Sequence, residues 1–277
     1  MKPVVNVVTL PNGVQLPFAE QGDPCGLPVV FLHGFLDSWR SFELVLRHLP
    51  ASIRAIAPSQ RGHGDASRPA SGYRVLDFAA DLAAFLDAVG VEAACVVGGS
   101  SGGLVAQRFA LDHPGRVVAL ALLGSPVTLK DKPAVQELWN ATISKLRDPV
   151  DPGLVRAFQA STLARPVPAS FFEAMVRESL KVPARVWRET IAGFLEDDHS
   201  AELAAIAVPT LMLWGDRDAL TKSDQARLRT AIVDSRLVVY EGAGHTLYWE
   251  EPARVAHDLV TFVEAVAGAR PPRAGYP

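Results

Sequence analysis

The residues whose types and spacing could do chemistry together are a serine in a glycine-rich turn, a late histidine, and an aspartate between them. Gly98-Gly99-Ser100-Ser101-Gly102-Gly103 lies between the apolar run Cys95-Val96-Val97 and a helical pattern that begins at Leu104. Gly-x-Ser-x-Gly at a strand-to-helix junction marks a nucleophile elbow, a strained turn that holds the hydroxyl out at the top of a sheet. The register is open by one residue, since Gly98-x-Ser100-x-Gly102 and Gly99-x-Ser101-x-Gly103 both fit. Ser100 is favoured, because the apolar run ends at Val97 and a glycine pair just beyond the serine suits tight helix packing. Neither Gly-x-Gly-x-x-Gly nor Gly-Lys-Ser/Thr is present, so a phosphate loop fits poorly.

A serine hydroxyl is a weak nucleophile at neutral pH and needs a neighbouring base. Of the seven histidines, His245 alone follows a strand-like run late in the chain, as the order Ser, Asp, His requires. His48, His113 and His257 lie in or beside helical patterns, and His199 belongs to a helical stretch. His33 and His63 sit in glycine-rich loops where structural hydrogen bonding is the plainer role. Two acids, Asp216 and Asp218, follow the apolar run Leu211-Met212-Leu213-Trp214, and Asp131 is a minor third candidate. An acid buried beside the histidine would fix its tautomer and stabilise the imidazolium as it forms.

The elements that must position these groups alternate between strand and helix. Val4 to Leu10 and Val14 to Glu20 read as a hairpin around Asn12-Gly13. Val29–Leu32, Ile53–Ala57, Ala93–Val97 and Val117–Leu123 are short apolar runs, interleaved with helical spacing at Val75–Val89 and Leu104–His113. Strands apolar throughout imply a parallel sheet covered by helices on both faces. Between 126 and 207 there is no convincing strand. Helical stretches at Val135–Leu146, Leu154–Ser161, Ala169–Leu180 and Ala184–Leu195 are separated there by prolines. The alternation resumes with Thr210–Trp214, a helix at Lys222–Ile232, a strand at Arg236–Tyr240 and a helix at Pro252–Val266. The expected organisation is a core of residues 1–125 and 208–277 with a helical insertion, 126–207, and a loose tail from Gly268.

Composition excludes several classes. The chain has 277 residues with 49% hydrophobic content, enough to bury a large core without disulfides or metals. A net charge of −3 without a basic run argues against nucleic acid, which requires clustered Lys and Arg. Cys25 and Cys95 form no disulfide framework or paired metal-ligand spacing. No apolar stretch of about 18 residues exists to span a bilayer, and the N-terminus lacks a signal peptide's apolar segment. A cytoplasmic protein without membrane association is expected; nothing in the sequence speaks to oligomeric state.

Five ordered motifs resemble those of the α/β-hydrolase fold family, cap-bearing type, over nearly the whole chain. His33-Gly34-Phe35 is similar to the family's loop after strand 3, and Gln60-Arg61-Gly62-His63-Gly64-Asp65-Ala66-Ser67 to its loop after strand 4. The elbow at Ser100 is followed by Trp214-Gly215-Asp216-Arg217-Asp218, similar to the acid loop, and by Gly242-Ala243-Gly244-His245, similar to the histidine loop. Glu250-Glu251-Pro252 also matches a common family pattern. The resemblance implies a mostly parallel eight-stranded sheet with a helical cap, and a catalytic set of Ser100, Asp218 and His245. Asp218 is selected because the family places the acid three residues after the glycine. Oxyanion donors would be the backbone N–H groups of Phe35 and Ser101.

No cofactor or metal is implied. Aspartate-nucleophile dehalogenases and epoxide hydrolases fail on Ser100, and no tyrosine lies in the insertion for epoxide opening. Ester or lactone hydrolysis is the expected activity, on a small molecule with an apolar acyl or aromatic group. C–C bond hydrolysis, perhydrolysis and a slow-turnover ligand receptor are the alternatives. Leu36, Trp39, Leu247 and Trp249, beside the two active loops, are expected to line the pocket. Most insertion aromatics, among Trp139, Phe158, Phe171, Phe172, Trp187 and Phe194, are expected to pack the insertion itself.

Overall fold

The computed structural model describes residues 3–269; most of the expected loose tail, 270–277, lies outside them. The chain opens with a hairpin of β1 (Val4–Thr9) and β2 (Gln15–Gln21), turned at Gly13 with φ +80°. Then come β3 (Leu27–Leu32), a short α1 (Glu43–Leu46), β4 (Ile53–Pro58), α2 (Val75–Ala88), β5 (Ala94–Gly99), α3 (Ser101–Asp112) and β6 (Val117–Leu123). Four helices follow without a strand: α4 (Pro133–Ala141), α5 (Pro152–Ser161), α6 (Ala169–Leu180) and α7 (Ala184–Glu196). The described residues close with β7 (Thr210–Gly215), α8 (Lys222–Ala231), β8 (Ser235–Tyr240), a one-turn α9 (Leu247–Glu250) and α10 (Pro252–Ala269).

The eight strands form one sheet in the order β1-β2-β4-β3-β5-β6-β7-β8. β1 and β2 pair antiparallel, as do β2 and β4; every other neighbour is parallel. Successive side chains on a strand point to opposite faces, and the core divides accordingly. Val30, Leu32, Val96 and Leu120 pack on one face with Phe78 and Phe85 of α2 and Phe109 of α3. Val29, Phe31, Val97 and Ala121 pack on the other with Leu46 of α1 and Leu259 and Val263 of α10. Both faces are covered, as uniformly apolar strands require. Among the described residues no helix is long and apolar enough to cross a membrane.

Two local features differ from the sequence reading. β5 does not stop at Val97 but pairs through Gly98 with Leu122 and Gly99 with Leu123. Glycines carry no apolar signal, so an apolar run underestimates the strand. The one-turn helices α1 and α9 are too short for a 3.6-residue period to reveal.

The reason for glycine at this junction is close approach. A Cβ on Gly98 would lie 2.5 Å from the Gly102 oxygen, and one on Gly102 would lie 2.3 Å from the Leu32 oxygen and 2.5 Å from that of His33. The first turn of α3 therefore rests directly on the backbone at the ends of β3 and β5. Gly102→Ala is expected to destabilise the fold by about 3 kcal/mol, the upper part of the usual overpacking range, because backbone must move. Urea denaturation of the variant against the parent checks this.

Candidate active site

Ser100 stands between β5 and α3 with φ +52° and ψ −124°, a left-handed conformation rarely held by a non-glycine residue. Such a residue costs about 1–3 kcal/mol and persists only where its surroundings over-determine it. Here the Ser100 N–H donates to the Leu123 oxygen at 2.9 Å, and the Ser100 oxygen accepts from the Gly103 N–H at 2.9 Å. The turn is thus pinned to β6 on one side and to α3 on the other. Ser101, the other serine of the motif, is the first residue of α3 and is 8% exposed.

His245 arrives on the loop after β8 and Asp218 on the loop after β7. His245 Nε2 lies 2.8 Å from Ser100 Oγ, and His245 Nδ1 lies 2.8 Å from Asp218 Oδ2. An ionised carboxylate only accepts, so Nδ1 carries the hydrogen and Nε2 is left to accept from the serine hydroxyl. Asp218 is buried, and its oxygens also accept from the N–H of Leu220 at 3.0 Å, the N–H of Thr221 at 3.3 Å and the Thr221 hydroxyl. Burial pushes the Asp218 carboxyl up, but the His245 charge and hydrogen bond, with those of Thr221, outweigh it and hold the group below its ordinary range. The loops meet closely: a Cβ on Gly124 would sit 2.7 Å from the His245 oxygen.

The alternative acids lie elsewhere. Asp216 accepts from the Gly242 N–H at 2.6 Å, tying the two loops together without touching His245. Asp131 pairs with Lys132 and Arg227.

The glycine-loop histidines are structural. The Gln60 N–H donates to His33 Nε2 at 2.9 Å, so His33 Nδ1 carries its hydrogen and donates to the Gly34 oxygen at 2.8 Å. Burial, reinforced by His63, lowers the His33 pKa to about 3 against an opposing bond to Gly34. His63 donates from Nδ1 to the Arg61 oxygen at 2.8 Å, and burial lowers it to about 4. Both rings stay neutral and join the loops after β3 and β4.

A cavity of about 490 Å³ opens above Ser100 and His245, and Phe35 and Ser101 also form part of its wall. Its apolar surface comes from Leu138, Ile143, Phe158, Trp187 and Ile191 of the helical segment and Leu220 of the acid loop. Phe35 packs edge-on against Phe158 and Trp187, at centroid distances of 5.9 and 5.4 Å.

The expectation that Leu36, Trp39, Leu247 and Trp249 line this cavity is corrected: none is on its wall. Leu36 is fully buried in the core on the α2–α3 face, and the other three pack in the opposite core. Trp249 is held there by donating from Nε1 to Ser41 Oγ at 3.0 Å. Nearness in sequence does not set side-chain direction. Thr246 and Tyr248 border the cavity, whereas Leu247 and Trp249 do not and are buried in the core, as Tyr248 also is.

Sequence reasoning missed Asp37, Gln159 and Tyr248 on the cavity wall. Asp37 is 3% exposed and accepts from Ser41 Oγ at 2.8 Å and from Gln159 Nε2 at 3.0 Å. Gln159 belongs to α5 and also donates to Ser179 Oγ of α6 at 2.8 Å. The pair therefore joins the loop after β3 to the helical segment. Burial pushes Asp37 up to about 7, against the opposing influence of Ser41, Gln159 and the His245 charge. An acid set among Phe35, Leu36 and buried serines was the only signal available.

Residues 28–252 match the family model described as the alpha/beta hydrolase fold. The chain belongs to the α/β-hydrolase fold family. Among curated α/β-hydrolase relatives, the non-heme chloroperoxidase of Streptomyces lividans is 29% identical, covering 94% of this chain and all of the relative. The bifunctional esterase/perhydrolase DCH of Acinetobacter calcoaceticus is 27% identical over 93% of this chain and 99% of its own length. Among solved structures, an esterase from Rhodococcus sp. superposes with a TM-score of 0.84 at 27% identity, covering 96% of this chain and 100% of that one.

Asp37 has a pH signature. Its carboxyl titrates near 7 in the folded chain and near 4 when unfolded. Between those values the folded state binds the extra proton, so Asp37 contributes stability at acid pH that is lost as pH rises through about 7. Asp37→Asn removes this loss. Urea denaturation at pH 5 and pH 8 is expected to find the variant gaining on the parent at the higher pH.

Proposed function

We propose that this α/β-hydrolase cleaves carboxylic esters or lactones through an acyl-enzyme on Ser100. The observation that carries the reading is the continuous line from Ser100 Oγ to His245 Nε2 and from His245 Nδ1 to Asp218, both at 2.8 Å, under an apolar cavity. In the first step Ser100 Oγ attacks the ester carbonyl carbon and His245 Nε2 takes the serine proton. Asp218, already ionised, stabilises the imidazolium. The tetrahedral oxyanion collapses, the C–O bond to the leaving group breaks, and the imidazolium returns its proton to the departing alkoxide. Water then gives a proton to His245 and attacks the acyl carbon, the bond from that carbon to Ser100 Oγ breaks to release the acid, and the imidazolium returns its proton to Ser100 Oγ.

The oxyanion would be received by the N–H groups of Phe35 and Ser101. A Cβ on Gly34 would lie 3.2 Å from Ser100 Cβ, which sets the Gly34–Phe35 peptide against the nucleophile. Among the described residues the Phe35 N–H meets no backbone acceptor, and the Ser101 N–H belongs to the first turn of α3, where intrahelical partners are lacking. A donor of this kind supports catalysis by roughly 3–4 kcal/mol in a comparable site. No step requires a cofactor or metal, because each proton moves between serine, histidine and the reactants.

On this reading residues 126–207 act as a cap on a core of 1–125 and 208–277. The aliphatic and aromatic wall supports a substrate with an apolar acyl or aromatic group. A second reading replaces water by hydrogen peroxide in the last step, giving a peracid; the esterase/perhydrolase relative favours it.

The test is turnover of p-nitrophenyl acetate and butyrate. Ser100→Ala is expected to abolish it, and Asp218→Asn to lower kcat by about 10,000-fold, since an amide cannot hold the required tautomer. A fluorophosphonate should label the parent at Ser100 and leave Ser100→Ala unlabelled. Folded parent protein that neither turns over these esters nor is labelled contradicts the proposal.

A further inference from the structure

The helical segment meets the histidine loop on both sides of His245, on one side through a carboxylate. Glu250, the last residue of α9, turns back so that its Oε2 accepts from the Gly244 N–H at 2.9 Å. Its Oε1 accepts from the Ala164 N–H at 2.7 Å and the Arg165 N–H at 3.2 Å, just beyond the end of α5. On the other side of His245, the Thr246 N–H donates to the Thr162 oxygen at 3.2 Å, and the two threonine hydroxyls lie 3.0 Å apart. Both neighbours of His245 are therefore fastened to residues 162–165. The fit leaves no slack: a Cβ on Gly244 would sit 2.6 Å from the Ala164 nitrogen and 2.7 Å from Glu250 Oε1.

We infer that Glu250 is a positioning residue for His245, holding the histidine loop against the 162–165 strap so that Nε2 stays in reach of Ser100 Oγ. This rests on the serine-hydrolase reading for its kinetic consequence, though not for its geometric one. Three features support it beyond ordinary packing. The carboxylate joins three backbone N–H groups from two segments 80 residues apart in the chain, counting Ala164 to Gly244, and bonds to a charged acceptor are about twice as strong as neutral ones. One of the three donors is the peptide N–H of the residue next to His245. The strap itself, through Thr162, Leu163 and Ala164, is also cavity wall, so a substrate filling the cavity bears on the element that sets the histidine.

Asp218 fixes the ring from one end but does not hold the backbone that carries it. Without Glu250 the Gly244 and Ala164 N–H groups lose their acceptor, and the Thr246–Thr162 and Arg165–Glu241 contacts are left to hold the loop, so the Gly244 side of His245 can shift. A displacement of about 1 Å at a reacting group can lower the rate by about 100-fold. Glutamine at 250 keeps one acceptor oxygen but presents an amide NH₂ to a donor on the other side, so it restores half of the clamp.

The experiment compares the parent with Glu250→Ala and Glu250→Gln, measuring kcat and KM for p-nitrophenyl butyrate, fluorophosphonate labelling rate, and the downfield NMR resonance of the His245 Nδ1 proton. In Glu250→Ala, kcat and the labelling rate are expected to fall by about 100-fold with KM within about threefold. Glu250→Gln should fall between this variant and the parent. The downfield resonance should broaden or vanish in the alanine variant while the circular dichroism of the fold is retained. If Glu250→Ala does not fold, Glu250→Gln carries the same comparison. A folded variant with parental kcat and an unchanged resonance overturns the inference. An inactive, unlabelled parent whose resonance still depends on Glu250 overturns the hydrolase reading and leaves the clamp standing. An inactive parent with no such dependence overturns both.

Discussion

Ser100 is held in a backbone conformation that a residue with a side chain adopts only under constraint, and most of the site follows from that constraint. The left-handed turn lifts the hydroxyl above the carboxyl end of β5 and lets α3 begin at once. It survives because Gly98 and Gly102 allow the helix to rest on strand backbone, and because the Leu123 oxygen and Gly103 N–H pin the serine from both sides. Once the serine is fixed at this edge, the carboxyl ends of β3, β7 and β8 are the positions from which other groups can reach it. Phe35, Asp218 and His245 come from those loops. The parallel sheet acts as a ruler, and side chains supply the chemistry.

Burial sorts the ionisable groups of the site. Asp218 is buried yet kept ionised, because a histidine and the hydrogen-bond donors of the Thr221 turn face it. Asp37 is buried with two neutral donors and is pushed toward its acid form. His33 and His63 are buried, bond to backbone groups and stay neutral. Groups of the same chemical kind thus take different charge states according to what accompanies them, and among the described residues only His245 is joined to both an acid and a nucleophile. The helical segment adds a further level. It closes the cavity with apolar side chains and, through Gln159 to Asp37 and Glu250 to residues 164 and 165, touches the loops on both sides of Ser100.

Much of this was legible in the residues. Uniformly apolar strands announced a sheet buried on both faces, Asn12-Gly13 announced the hairpin, and the loss of strand pattern after residue 126 announced the helical segment. The places of Ser100 and His245 after strand-like runs allowed those two to be named before their distances were known, while the choice of Asp218 over Asp216 came from the family resemblance. What the sequence hid was direction and long-range pairing. Leu36, Trp39, Leu247 and Trp249 sit beside the active loops in the chain yet are buried in the core, because Leu36 stands in a turn at φ +70° and the others in single helical turns too short to show a period. Asp37 and Gln159 are 122 residues apart, and Glu250 and Ala164 are 86 apart. No local periodicity reports such contacts.

The central claim is that the hydroxyl of Ser100, activated by His245, carries the acyl group during turnover. The most direct measurement is rapid quenching of the protein with p-nitrophenyl butyrate, followed by mass spectrometry of the intact chain and of the peptide spanning residues 98 to 103. The account predicts a transient butyryl adduct on Ser100, formed with one equivalent of p-nitrophenolate and decaying at the steady-state rate. Release of p-nitrophenolate with no adduct, or an adduct on Ser101, would contradict it.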